Sequence, residues 1–98
     1  MALIQRSARA EQDIYEAWRY IALQNGPAAD RFLDALERRL DQLIRHPWSG
    51  RAREDLGPGV RHLNAVQYAV YYRVEPNGIR VIRVMHGRRG IGIWDLVE

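Results

Sequence analysis

The chain has 98 residues, 47% hydrophobic and 28% charged, with 15 basic side chains against 12 acidic ones and a formal net charge of +3. One domain over residues 1–98 is expected; disorder is excluded by composition, and no apolar run approaches the roughly 18 residues a membrane span requires. With neither cysteine nor lysine, a disulfide scaffold and lysine-based catalysis are excluded, and with no basic stretch leading into an apolar one at the N-terminus the expected location is the cytoplasm.

Leu3 and Ile4 open the chain as a short strand. Ser7 is placed to cap a helix, and Ala10, Ile14, Trp18 and Ile21 recur at helical spacing. Glu11, Asp13 and Glu16 lie near the positive end of that helix dipole, which predicts a helix from about 8 to 24. The spacing puts Tyr15 and Trp18 mostly in the core. Asn25 and Gly26 suit a C-terminal cap, and Pro27 suits the first turn of a second helix. Phe32, Leu36, Leu40, Leu43 and Ile44 form the apolar stripe of that helix, with Asp34 to Arg38 and Asp41 to Arg45 spaced as i,i+4 ion pairs. So short a connection makes the two helices an antiparallel hairpin.

Residues 45–59, "RHPWSGRAREDLGPG", have Pro and Gly punctuation without periodicity and read as a loop, with Trp48 a lid on the hairpin. "VRHLNAVQYAVYYRV", the turn signal "EPNG" and "IRVIRVMHG" then predict a three-stranded antiparallel meander. The expected fold is α+β, in the order β-α-α-β-β-β: an N-terminal strand and an antiparallel helical hairpin packed on a small antiparallel sheet. In the last strand, strict alternation puts Ile79, Val81 and Met85 on one face with Arg83, and Ile82 and Val84 on the other with Arg80 and His86. Both faces are then covered, and Arg83 is either a half-buried partner of a carboxylate or a contact for another molecule.

The charge is uneven. Residues 1–50 carry seven arginines against seven acids, whereas residues 60–90 carry six arginines against Glu75 alone, net +5. Such a patch attracts nucleic acid or an acidic protein. The motif "MHGRR" gathers His86, Arg88 and Arg89 around Gly87. His86 either caps a turn and packs on the sheet or moves a proton beside a phosphate held by the arginines. The tail "GIGIWDLVE" is too apolar for a free end: it either closes onto the core or flanks a partner groove, where aromatic and arginine anchors commonly carry interface energy. His46, His62 and His86 show no metal-ligand spacing, and no phosphate-binding glycine fingerprint is present, so neither metal nor cofactor is expected.

The hairpin followed by "HPWSGRARED", "GVRHL", "YAVYYRV" and "IRVIRVMHGRR" resembles the ParE branch of the ParE/RelE toxin superfamily over nearly the whole chain. The resemblance implies the toxin half of a bacterial type II toxin-antitoxin module, one that inhibits DNA gyrase by binding and is silenced in a hetero-oligomer with a ParD-like antitoxin. RelE-type relatives are ribosome-dependent mRNA endonucleases, and this is the alternative reading. They carry an arginine just after the first tyrosine of the third strand and a C-terminal tyrosine. Here those positions read Ala69, within Tyr68-Ala69-Val70-Tyr71, and no tyrosine follows Trp94. No catalytic residue is therefore assigned. The target-binding candidates are Arg83, His86, Arg88 and Arg89; the antitoxin-binding candidates are Arg61, Arg73 and Trp94. Direct sequence-specific DNA binding by the chain is not expected, and a plain nucleic-acid-binding module is disfavoured because Tyr68, Tyr71 and Tyr72 lack the spacing of a base-stacking platform.

Overall fold

A computed structural model describes residues 3–98. Strand β1 (Leu3–Arg6) runs into Ser7, whose Oγ accepts the Ala10 N–H at 3.0 Å and so caps α1 (Ala8–Gln24). Asn25 alone joins α1 to α2 (Gly26–Arg45): its N–H closes the first helix on Ile21, and its Oδ1 accepts the Ala28 N–H at 3.1 Å to start the second. Pro27 falls in the first turn of α2, where a missing N–H costs nothing. The helices are thus folded back on each other by chemistry legible within three residues.

Strands β2 (Arg51–Ala52), β3 (Val60–Ala65), β4 (Tyr68–Glu75) and β5 (Gly78–His86) complete a sheet ordered β1-β5-β4-β3-β2. The meander β3-β4-β5 is antiparallel as expected, while β1 lies parallel to β5, Ile4 opposite Ile79. A parallel neighbour needs a long crossover, and the helical hairpin supplies it. The segment 45–59 is not wholly loop: Arg51 and Ala52 pair with His62 and Arg61, and Glu54–Leu56 form a 3₁₀ turn.

The sheet has two cores. On the helix side Ala10, Ile14 and Ala17 of α1 and Phe32, Leu36, Leu40 and Leu43 of α2 bury Val70, Tyr72, Ile79, Val81 and Val84. On the far side Leu56 and a second 3₁₀ turn, Ile93–Leu96, cover Val60, Ala69, Tyr71, Ile82 and Met85. Fully burying a side chain such as Phe32 contributes about 1.5–3 kcal/mol. Tyr15 is exposed rather than core, because Ala10, Ile14 and Ala17 take the face of α1 that meets the sheet. Neither Asp34–Arg38 nor Asp41–Arg45 closes; the ion pairs among the described residues instead include Arg6–Glu37 at 2.9 Å. Exposed i,i+4 pairs gain only about 0.3–0.5 kcal/mol, little enough for side-chain entropy to keep them open.

Strict alternation also fails in β5. Tyr71 pairs with Arg83 but Tyr72 pairs with Val81, leaving Ile82 as an extra residue in a β-bulge. Downstream faces invert: Val81 and Val84 share the helix side, and Ile82 and Met85 the far side. The bulge and the end of β1 leave backbone groups of β5 unpaired, and α1 meets them. Ser7 N–H donates to Val81 O at 2.9 Å, Ser7 Oγ to Ile82 O at 2.6 Å, and Asp13 Oδ2 accepts the Val84 N–H at 3.0 Å.

Candidate partner-binding surface at the end of the fifth strand

The bulge sets Arg83 opposite Tyr71, whose side chain belongs to the far-side core, and from there the guanidinium reaches Asp13 of α1. Its Nε and Nη2 meet the two Asp13 oxygens at 2.7 and 3.0 Å, and Nη1 donates to the Asp95 carbonyl at 3.1 Å. Only 8% of the residue is exposed, and the hydrogen bond to Asp13 raises its affinity for the proton against the opposing effect of burial. Of the two possibilities open for this side chain in sequence, the structure has the carboxylate partner: Arg83 joins α1, β5 and the C-terminal turn from inside.

Asp95 extends the network outward. Its carboxylate accepts the Gly92 N–H at 2.9 Å and an Arg89 Nη2 hydrogen at 3.3 Å. Between these anchors the turn after β5 holds His86, whose Nδ1 accepts the Arg88 N–H at 3.1 Å and whose ring meets Tyr68 edge-on at 5.2 Å. Arg88 and Arg89 are exposed around it. The tail divides its apolar residues: Leu96 is buried and Ile91 packs beside it, while Ile93 and Val97 point outward and Trp94 is 80% exposed. Arg88, Arg89 and Trp94 thus sit on one segment, 87–96, that Arg83 and Asp95 tie to α1.

Arg61 and Arg73 lie elsewhere. Arg61 donates to the Gly50 and Trp48 carbonyls at 3.0 and 3.1 Å, with its guanidinium 5.4 Å from the Trp48 ring centre. Arg73 donates to the Pro58 carbonyl at 3.3 Å. Adjacent strands pair Arg61 with Tyr72 and Arg73 with Val60, so the two arginines point to opposite faces, Arg61 to the helix side and Arg73 to the side that the C-terminal 3₁₀ turn covers. Among the described residues no group of three His, Cys, Asp or Glu side chains gathers as a metal site.

Sequence reading missed a groove of about 550 Å³ between the tip of the helical hairpin and the β3–β4 turn, lined by Ile21, Phe32, Ala35, Tyr68 and His86 with Arg31 and Arg38. Its residues come from α1, α2, β4 and β5, so no local pattern announces them. One local feature is visible at its rim: Val66, in the two-residue turn, has φ +57°. A β-branched residue in this left-handed conformation is strained by about 1–3 kcal/mol.

A comparison with known families decides the lineage. The family described as "ParE toxin of type II toxin-antitoxin system, parDE" matches residues 4–91. The chain belongs to the ParE toxin family. It is similar to Toxin ParE1 of Mycobacterium tuberculosis, 36% identical over 64 residues, a match covering 64% of this chain and 65% of that protein. The chain thus spans just under two thirds of the length of that mycobacterial relative. Caulobacter vibrioides Toxin ParE3 is 27% identical over 92 residues, covering 93% of this chain and 92% of the relative, and Toxin RelE3 of the same organism is 29% identical over 90 residues, covering 88% and 95%. Among solved structures, the chromosomal ParDE toxin-antitoxin system of P. aeruginosa superposes with a TM-score of 0.73 at 20% identity, over 88% of this chain and 96% of that one. This likeness extends the ParE assignment to the α+β fold. No helix among the described residues of this ParE-family chain is long and apolar enough to cross a membrane.

Proposed function

We infer that this ParE-family chain is a non-enzymatic toxin that binds DNA gyrase, traps it on cut DNA, and is neutralised by a ParD-like antitoxin in the cytoplasm. The observation that carries the reading is segment 87–96: two exposed arginines and an 80% exposed tryptophan on a turn anchored through Asp95 and Arg83. Aromatic and arginine anchors held rigidly are what a protein interface uses, since little side-chain and loop freedom remains to be lost on binding. Arg88, Arg89 and Trp94 are the contacts in this reading; Arg83 is a positioning residue, and Arg61 and Arg73 hold loops.

The site offers little for a nuclease. Cleavage through a 2′-hydroxyl needs a base, an acid and free cations at one phosphate. Ala69, where RelE-type relatives carry arginine, is buried beneath the far-side cluster, and His86 spends Nδ1 on the turn. Gyrase supercoiling with trapped cleavage scored, run beside mRNA cleavage on translating ribosomes, tests the reading. Trapped breaks that Trp94→Ala and Arg88→Glu abolish are expected; cut mRNA with untouched gyrase replaces this function by the nuclease one.

A further inference from the structure

We propose that the outward face of α1 is a self-complementary surface through which two copies of the chain pair, their α1 helices crossing antiparallel about a two-fold axis at Tyr15. The pairing belongs to the free chain and does not depend on the toxin reading.

That face is more apolar than a solvated helix needs. Tyr15 is 58% exposed and Leu23 78%, and half-buried Trp18 holds its ring 6.3 Å from that of Tyr15. Ala10, Ile14 and Ala17 take the side of α1 that meets the sheet, so Tyr15 and Leu23 belong to neither core. Contiguous apolar surface rimmed by charge marks a contact site.

The charges on the face name the occupant. Glu11, Tyr15, Arg19 and Leu23 lie on one i,i+4 row. Four residues before Tyr15 stands an anion, and four residues after it a cation. They are about 12 Å apart along the axis, too far to meet within one helix, and neither forms an ion pair among the described residues. In the commonest packing of two helices, crossed at about −50°, such rows lie alongside each other. With the second row reversed about Tyr15, Glu11 of each copy meets Arg19 of the other, and the two tyrosines meet at the centre. A two-fold contact requires this relation, in which residue i touches j and j touches i. Ala8 and Ala22, seven residues to either side of Tyr15, leave no bulk to hold the helices apart.

The pairing leaves segment 87–96 open. Asp13 stands two residues from Tyr15, about 200° around the helix, and holds Arg83 and through it that segment. A dimer therefore presents two such segments at once, and a second contact adds avidity without any new interaction. One pair of crossed helices buries less than the roughly 1,200 Å² of a stable interface, so the dimer is weak and forms with concentration.

The test is sedimentation equilibrium of the intact chain from roughly 1 μM to 1 mM. The samples are the parent, Glu11→Arg, Arg19→Glu, the double reversal and an equimolar mixture of the two single variants, with the Tm of each recorded. Each single reversal sets like charges together twice per dimer and is expected to raise the Kd at least about tenfold without a matching fall in Tm. The double reversal and the mixture restore both opposite-charge contacts and should return the Kd to within about threefold of the parent value. Rescue in the mixture is a result that no structural role of either residue produces. Parent-like Kd in both single variants overturns the surface, and loss without rescue in the mixture overturns the antiparallel pairing. A parent chain that stays monomeric to the top of the concentration range overturns the dimer itself.

Discussion

Asp13 on α1 and Arg83 on β5, 70 residues apart, form a two-pronged ion pair at 2.7 and 3.0 Å, and the same carboxylate accepts the N–H of Val84, which lies beyond the last residue of β5 paired with β1. One side chain therefore compensates a buried charge and a broken ladder at once. Asp13→Ala is expected to cost about 3–5 kcal/mol, because it strands a nearly buried guanidinium. Asp13→Asn keeps an acceptor and should cost less. Urea unfolding of both variants with an unchanged m-value checks the ranking; equal, small losses would show that Arg83 finds another partner.

Tyr72 does comparable work for the loop after α2. Its fully buried hydroxyl donates to Pro47 O at 2.8 Å and accepts the Gly50 N–H at 2.9 Å. Tyr72→Phe leaves two partners unmet and should cost about 1–3 kcal/mol. Hydrogen exchange is expected to accelerate at Gly50 and to stay slow in α1. Gly50→Ala should act on the same bonds, since a Cβ there would overlap the Tyr72 ring and lie 2.9 Å from the His62 carbonyl oxygen.

The parts of the fold legible in sequence are those whose signals are local. Ser7 and the run Asn25-Gly26-Pro27 delimit both helices, and "EPNG" places the β4–β5 turn. The bulge at Ile82 was not legible, because alternation carries no mark of where an extra residue enters, and one extra residue inverts every side chain beyond it. Two-residue β2 is too short to alternate. At the candidate surface, the exposed His86–Arg89 turn was readable from its motif, but the carbonyls that claim Arg61 and Arg73 lie 11 to 15 residues away in sequence across irregular loops. Tyr20, Phe32 and Tyr68 become one groove only when the hairpin closes on the sheet.

Gly78 is the point where β1 joins the sheet. Its φ is +150°, and a Cβ there would collide with the Leu3 backbone. Gly78→Ala must therefore push β1 away from β5, whose pairing includes Leu3 opposite Gly78. The expected outcome is rapid exchange of the β1 amides and a lower Tm, with the β3–β4 ladder still protected. Parent-like exchange in β1 would show that the strand re-forms around the methyl group.

His62 sets an acid-side limit on stability. Its Nδ1 is buried without a hydrogen-bond partner, its ring lies 5.6 Å from that of Tyr71, and burial, with the Arg53 and Arg51 charges adding to it, holds its pKa below the usual 6.5. The unfolded chain then takes up a proton at a pH where the folded chain does not, so stability falls as pH drops below about 6.5 and levels off once the folded imidazole also protonates. His62→Phe removes both the proton and the unmatched nitrogen while keeping an aromatic ring beside Tyr71. Its stability should equal or exceed that of the parent at pH 7.5, and the gap should widen between pH 6.5 and 5 in urea titrations. A gap independent of pH would mean that the imidazole titrates alike in the folded and unfolded chains.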